Sequence, residues 1–290
     1  MNVLTESIKE IKRCGAGLGL VFGVLSINSG QAQVVTLASG NSAVTINTSS
    51  QPGMNSWVVD GQNQLNQQWF WYRIGNSGSE ASIDTISSPA NNLISSSILQ
   101  STYVNSSLDV SILYSLLGGS IGSGTSDLSE QISIQNLTGA TMSFHFFQYA
   151  DFNLGGTPNN DTGSLDPMRR NTYVGTVQYN NGCHLSENVD TVVSQPANRG
   201  QFGTGSTILN ALNDGSATTL NDNASAAGNV NWALEWDVNI APGGTLLISK
   251  ELNIVGVTPI GPVPEPATCS LLGLGLLGAG FFGWRGRQAS

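Results

Sequence analysis

The chain reads as an all-β protein, an antiparallel β-sandwich ectodomain with an N-terminal signal peptide and a single C-terminal transmembrane helix. Three observations predict it. Val230, Trp232, Leu234, Trp236, Val238 and Ile240 occupy every second position, with Asn231, Ala233, Glu235, Asp237 and Asn239 between them, which is the period of a strand with one buried face. Only 10% of the 290 residues are charged, and 35 are glycine, so the Lys, Glu and Arg that clothe helix surfaces are scarce. An apolar run lies near each end, Cys14–Ile27 and Ala267–Trp284. The formal charge of −9, without a basic cluster, excludes the electrostatic footprint that nucleic-acid binding needs.

Lys9, Lys12 and Arg13 precede the first apolar run, and Gly30 and Ala32 follow it. A basic region, an apolar stretch and small residues are the parts of a secretory signal peptide, with cleavage after Ala32. The run spans about 21 Å as a helix, short of the ~30 Å hydrocarbon core. Cys14 is no lipoprotein cysteine, because charged Lys12 and Arg13 stand where small or apolar residues are required.

Residues 33–258 form the ectodomain. Strand patterns occur at Val34–Ile46, Trp69–Ile74, Leu108–Leu116, around Ile132 and Ile134, and at Met142–Tyr149, Asn171–Tyr179 and Val189–Val193. The 230–240 strand turns at Ala241-Pro242-Gly243-Gly244 into Leu246, Ile248, Leu252 and Ile254, and the two make a hairpin; Lys250 is the exception to the alternation. Gly205–Leu212 has a helical period but is short. Short strands separated by Gly/Asn/Ser turns predict two packed sheets. Cys14 and Cys269 lie in the end segments, so the body retains only Cys183 and has no internal disulfide. Stability therefore rests on the core.

A linker, 259–266, contains Val263-Pro264-Glu265-Pro266. The prolines hold Glu265 in an extended, accessible segment. Ala267–Trp284 follows without a charge and, as a helix, spans about 27 Å, just enough for a bilayer. Arg285 and Arg287, in the tail 285–290, act as the stop-transfer and stay cytoplasmic. Gly273, Gly275 and Gly278 spell a dinucleotide fingerprint, but without a preceding strand they bind no pyrophosphate and instead permit close helix packing.

Val263-Pro264-Glu265-Pro266, the apolar run and the Arg-containing tail together resemble the PEP-CTERM sorting signal of bacterial exopolysaccharide-associated secreted proteins. The tail departs by continuing through Gln288-Ala289-Ser290. Gln67–Arg73, Phe147–Phe152, Leu212–Gly215 and Trp232–Asp237 are similar, more loosely, to one recurrent type of such proteins. The leader implies export through the Sec translocon and removal by signal peptidase, and the apolar run implies transient inner-membrane anchoring. The resemblance implies recognition of Pro264–Pro266 by an exosortase, a membrane cysteine protease or transpeptidase, followed by release or transfer of the body to a cell-surface or extracellular location. The expected role is structural or adhesive in an exopolysaccharide matrix, without enzymatic activity.

Other chemistry is weighed beside that reading. Gly118-Gly119-Ser120-Ile121-Gly122 matches a nucleophile elbow, with Asp151 or Asp166 and His184 following, but a secreted serine hydrolase needs a helix after Ser120, and Ser123–Ser126 reads as a turn. The histidines, His145 and His184, are too few for a zinc site of N/S ligands, and His145 reads as a hydrogen-bonded strand residue. Asp151, Asn153, Asn159, Asn160, Asp161 and Asp166 gather oxygens for weak Ca²⁺ binding, centred on Asp151, Asn153 and Asp161; no other cofactor is expected. Trp69 and Trp71 share one side of a strand and would stack on sugars if exposed, giving the alternative of a carbohydrate-binding module.

Overall fold

A computed structural model of the chain describes residues 33–166, 173, 175–189 and 195–260. The strands, in chain order, are β1 Val34–Ser39, β2 Ser42–Asn47, β3 Met54–Val59, β4 Gln62–Asn63, β5 Leu65–Ile74, β6 Ala81–Ser82, β7 Ala90–Ser95, β8 Ile98–Val104 and β9 Leu108–Gly118. There follow β10 Ser126–Asn136, β11 Met142–Phe152, β12 Asp161–Leu165, β13 Gly175–Asn180, β14 Cys183–Asn188, β15 Arg199–Thr204, β16 Ser225–Gly228, β17 Val230–Ile240 and β18 Thr245–Val255. Among the described residues the one α-helix is α1, Thr207–Ala211, in the stretch whose helical period looked too short.

The first sheet runs β1-β2-β3-β5-β11-β17-β15, with β4 on β3 and β6 on β5; the second runs β16-β12-β13-β14-β18-β10-β9-β8-β7. Their inner faces share one core, which includes Trp57, Phe70, Phe146, Trp232 and Trp236 from the first sheet and Tyr114, Ile132, Ile248 and Leu252 from the second. The Val34–Ile46 pattern is two strands, not one, because Gly40 adopts φ +53° and turns the chain between them. An L side chain is disfavoured at that φ.

The expected hairpin of residues 230–254 is corrected. β17 pairs with β11 and β15 in the first sheet, whereas β18 pairs with β10 and β14 in the second. The Ala241–Gly244 turn therefore crosses between sheets, and so does the Asn136–Gly139 turn from β10 to β11. Period-two alternation orients a strand toward a core but does not choose its hydrogen-bonded neighbour. Buried Asn136 ties the two crossings: its Nδ2 donates to the carbonyls of Ala140 at 2.8 Å and Ile240 at 2.9 Å, and its Oδ1 accepts from Thr138 N–H. Gly243 N–H donates to its main-chain carbonyl.

Lys250 departs from the alternation in residue type only: it occupies the inward phase of β18 and is fully buried between the sheets. Its Nζ pairs with Glu130, lies 3.2 Å from Glu187 Oε1 and donates to Gln148 Oε1 at 2.5 Å. Gln68 donates to both Glu130 oxygens and Gln148 to Glu187 Oε1. Polar side chains of both sheets pair in this layer, as buried charges require, although Gln68 Oε1 and Glu187 Oε2 find no hydrogen-bond partner.

The expected fold class is corrected in one part. Among the described residues no helix is long and apolar enough to cross a membrane. The expected transmembrane helix 267–284, and the transient inner-membrane anchoring built on it, have no support in this structure and are not carried forward. The segment itself lies outside the described residues, as do Ala32, Val263, Pro264, Glu265, Pro266, Arg285 and Arg287. What stands is a strand-rich body of two open sheets.

Candidate functional site

Two surfaces carry organised chemistry. On the outer face of the second sheet, antiparallel register aligns Leu113 with Gln100 and with Gln131, and Gln131 with Ser249; the adjacent row aligns Ser111 with Thr102 and Ser133, and Ser133 with Leu247. Gln100, Ser111, Leu113, Gln131, Ser133 and Leu247 line an open groove of about 290 Å³. Its walls are amides, hydroxyls and aliphatic branches, and no charged side chain lines it. Gln100 Nε2 donates to Ser111 Oγ at 3.0 Å, fixing one wall. These residues are the outward half of the alternation whose inward half, Ile112, Ile132 and Ile248, builds the core.

The second surface is the outer face of the first sheet. Here His145 on β11 stands opposite Asp237 on β17, and Phe147 stands opposite Glu235. His145 Nδ1 contacts Asp237 Oδ1 and lies 4.0 Å from Glu235 Oε1. Leu220 N–H donates to Glu235 Oε2 at 2.8 Å, and Asp237 N–H to Asn198 Oδ1 at 2.7 Å. Burial, with Asp237 adding to it, raises the Glu235 carboxyl to about 8, against the Leu220 hydrogen bond and the Arg199 charge. Arg199 pairs with Asp222 at 3.2 Å and reaches Asp237 at 3.8 Å; Arg73, opposite His145 on β5, pairs with Glu80 at 3.5 Å. His145 and Asp237 keep side-chain exposures of 15% and 33%, while Glu235 is buried.

The segment after β15 explains why this outer face is buried elsewhere. Ile208, Leu212 and Leu220 are buried, and the segment reaches the sheet through the Leu220 contact and through Asn213, whose Oδ1 accepts from Trp71 Nε1 at 3.3 Å. Trp69 donates to Ser82 Oγ at 2.7 Å. Both tryptophans are 0% exposed, so the expected sugar-stacking role of Trp69 and Trp71 is corrected: their rings are core, covered by residues distant in sequence.

The oxygen-rich loop divides between partners. Asp151, on β11, accepts from Asn66 Nδ2 at 2.9 Å, and Asp161, on β12, accepts from Gln178 Nε2 at 2.9 Å. Burial raises both carboxyls, Asp161 to about 6. Asn153 lies between them, its N–H donating to the Gln64 carbonyl. Ser120 is exposed in the loop that joins β9 to β10, with no helix after it, so the nucleophile elbow is absent. Asp60 braces that loop, accepting from Gly122 and Gly124 N–H at 2.6 and 2.8 Å. His184 stacks on Tyr179 with 4.4 Å between ring centroids, and Cys183 is a buried thiol raised by burial.

Sequence reasoning named His145 as a hydrogen-bonded residue but did not join it to Asp237 and Glu235, ninety positions on. The signal lay in the alternation itself, since both acids fall in the outward phase of β17. The groove residues were likewise visible only as the outward half of a pattern, Leu113 and Leu247 among them.

Residues 262–288 match the PEP-CTERM protein-sorting motif. The chain carries that motif, which supports exosortase-dependent sorting and implies an exosortase as processing partner. No curated protein matches the chain. Among solved structures, the fold is similar to a bacterial glucoamylase complexed with acarbose, with a TM-score of 0.54 and 10% identity over 85% of this chain and 36% of that one. It is also similar to a galactose mutarotase related enzyme of Lactobacillus acidophilus, with a TM-score of 0.53 and 10% identity over 78% and 98%. A protein of Synechocystis sp. PCC 6803 gives 0.50 and 9% over 78% and 96%. The chain thus spans only 36% of the glucoamylase's length. At these identities the likeness is one of fold. It corrects the expectation that the chain is not an enzyme, because a fold found in carbohydrate-active enzymes is compatible with catalysis.

Proposed function

We propose that this chain is an exported carbohydrate-binding protein, sorted by an exosortase at Pro264-Glu265-Pro266, that takes up neutral polysaccharide in the groove on the outer face of its second sheet. Export through the Sec translocon and cleavage after Ala32 belong to the same reading. So does partnership with exopolysaccharide. The observation that carries it is the lining: Gln100, Ser111, Gln131 and Ser133 around Leu113 and Leu247, without a charge. A sugar ring presents hydroxyls at its rim and C–H groups on its faces. Amides and hydroxyls match the first and leucine branches the second, and a charged lining would have to be desolvated without a partner. The fold's likeness to a glucoamylase and a mutarotase-related enzyme supports carbohydrate as the ligand class, and turnover as well as binding falls within the reading. This role replaces a purely structural or adhesive one.

The test is affinity electrophoresis of the full chain through gels containing dextran, mannan, galactan or an acidic polysaccharide, with sugar release assayed in parallel. Retardation by a neutral polymer, reduced about tenfold in affinity by Gln131→Ala or Leu113→Ser, is the expected result; loss of one such contact is worth roughly 1.4 kcal/mol. Unretarded migration in every gel, or equal retardation of wild type and both variants, overturns it.

A further inference from the structure

The His145–Glu235–Asp237 cluster lies on the opposite face of the sandwich from the groove and has a chemistry of its own. One ligand atom from each residue lies within 4.8 Å of the others. Atoms bound to a common ion at ~2.0–2.2 Å stand roughly 3–4 Å apart, so small side-chain rotations close the set. The strands fix this convergence: Glu235 and Asp237 share a face of β17, and His145 is the register partner of Asp237 on β11.

The hydrogen bonds around the cluster orient it for a cation. Asn76 Oδ1 lies 3.3 Å from His145 Nε2, so an Nε2–H finds its acceptor there when Nδ1 is given to an ion. Nδ1 contacts Asp237 Oδ1 and shares a proton with it; an ion entering the cluster takes that proton's place and the Nδ1 lone pair. An outer partner on the second ring nitrogen is the arrangement that metal-bound imidazoles have. Glu235, 1% exposed, has Oε2 committed to Leu220 N–H, while its Oε1 is 4.0 Å from Nδ1, beyond hydrogen-bond reach. Three side chains with ligand atoms therefore face one point, and an ion bound there takes the place of the protons they share. The neighbouring cations are otherwise engaged: Arg73 with Glu80, and Arg199 with Asp222 and the far oxygen of Asp237. The partial exposure of His145 and Asp237 leaves one side open for water or a ligand oxygen.

We propose that His145 Nδ1, Glu235 Oε1 and Asp237 Oδ1 bind a divalent first-row transition-metal ion, with an open coordination position toward solvent. One imidazole with two carboxylates is a borderline donor set that suits Zn²⁺ or Mn²⁺, whereas Ca²⁺ takes six to eight oxygens.

The test is titration of the chelator-treated full chain with zinc chloride by calorimetry, and with cobalt chloride by visible absorption. Wild type and His184→Ala are expected to bind an equivalent of Zn²⁺ and to develop Co²⁺ bands. His145→Ala and Asp237→Asn, checked for folding by circular dichroism, are expected to bind it at least tenfold more weakly and to lose the bands. The more conservative Asp237→Asn retains a side-chain amide at the site and decides the matter if His145→Ala does not fold. Absence of Zn²⁺ binding to wild type means that a proton alone occupies the position, and overturns the proposal. Equal binding by wild type and Asp237→Asn also overturns it.

Discussion

Replacing Lys250 by methionine isolates the energetics of the layer between the sheets. Methionine keeps the unbranched apolar stem, one heavy atom shorter, so most of the loss is that of the charge rather than of packing. In the native chain Nζ pairs with Glu130, lies 3.2 Å from Glu187 and accompanies a 2.5 Å hydrogen bond to Gln148, with 5.1 Å to the Phe70 ring centroid. Lys250→Met leaves two fully buried carboxylates facing each other without a cation. Breaking a buried ion pair from one side costs about 3–5 kcal/mol, most of it the penalty on the charge left behind, so the variant is expected to lose that much at pH 7. The loss is also pH-dependent. Burial already raises Glu187 above its usual value while Lys250 pulls it down; without Lys250 it rises further. An acid whose folded pKa is raised binds its proton more tightly in the folded state, so stability is retained below the unfolded value near 4.5 and declines as pH rises through the folded value. Urea unfolding followed by the fluorescence of the six tryptophans at pH 5 and pH 7 measures both effects. A loss under 1 kcal/mol at pH 7, or a larger loss at pH 5 than at pH 7, would refute the reasoning.

Asp161 gives a second pH signature. Its carboxyl is raised from 3.8 to about 6 by burial, so its contribution is fully present below pH 3.8 and is lost as pH rises through 6, amounting to at most about 3 kcal/mol. Asp161→Asn removes that dependence and turns a carboxylate oxygen without a hydrogen-bond partner into an amide donor; urea midpoints compared at pH 4 and pH 7 are expected to show a gain confined to the higher pH. Asn136→Ala deprives the carbonyls of Ala140 and Ile240 of their donor and is expected to cost about 2–4 kcal/mol, read as a fall in thermal midpoint. Trp71→Ala empties a fully buried site and is expected to cost about 3–5 kcal/mol, with polysaccharide affinity of the folded fraction unchanged because the ring is remote from the groove surface.

Much of the fold was legible because burial leaves a period in the sequence. The 108–116 alternation lies within β9 and matches its burial; the 230–240 pattern gives the bounds of β17, whose first seven residues are nevertheless all buried, both faces being covered there. β7 was illegible for the opposite reason: Asn92, Leu93, Ile94 and Ser95 are all exposed on an edge strand, and a strand with no buried face leaves no pattern. β12, with Thr162 exposed and Gly163 pressed against Phe202, reads as loop because glycine replaces the apolar residue that would mark the inward position. The sequence alternation assigned Trp69 and Trp71 a shared face correctly, yet not what covers that face, since its cover is chain from residues 82–84 and 206–220.

The sequence alone determined the strand-rich class, the acidic and weakly charged character, the two faces of each long strand and the sorting motif, because each is written in local periodicity or in a contiguous run of residues. Only the tertiary structure decided that β17 and β18 lie in different sheets, that Lys250 is enclosed by two glutamates, and that His145 meets Glu235 and Asp237. These depend on which strands become neighbours. A strand's own alternation fixes the direction of its side chains, while its partner is chosen by the packing of the whole core.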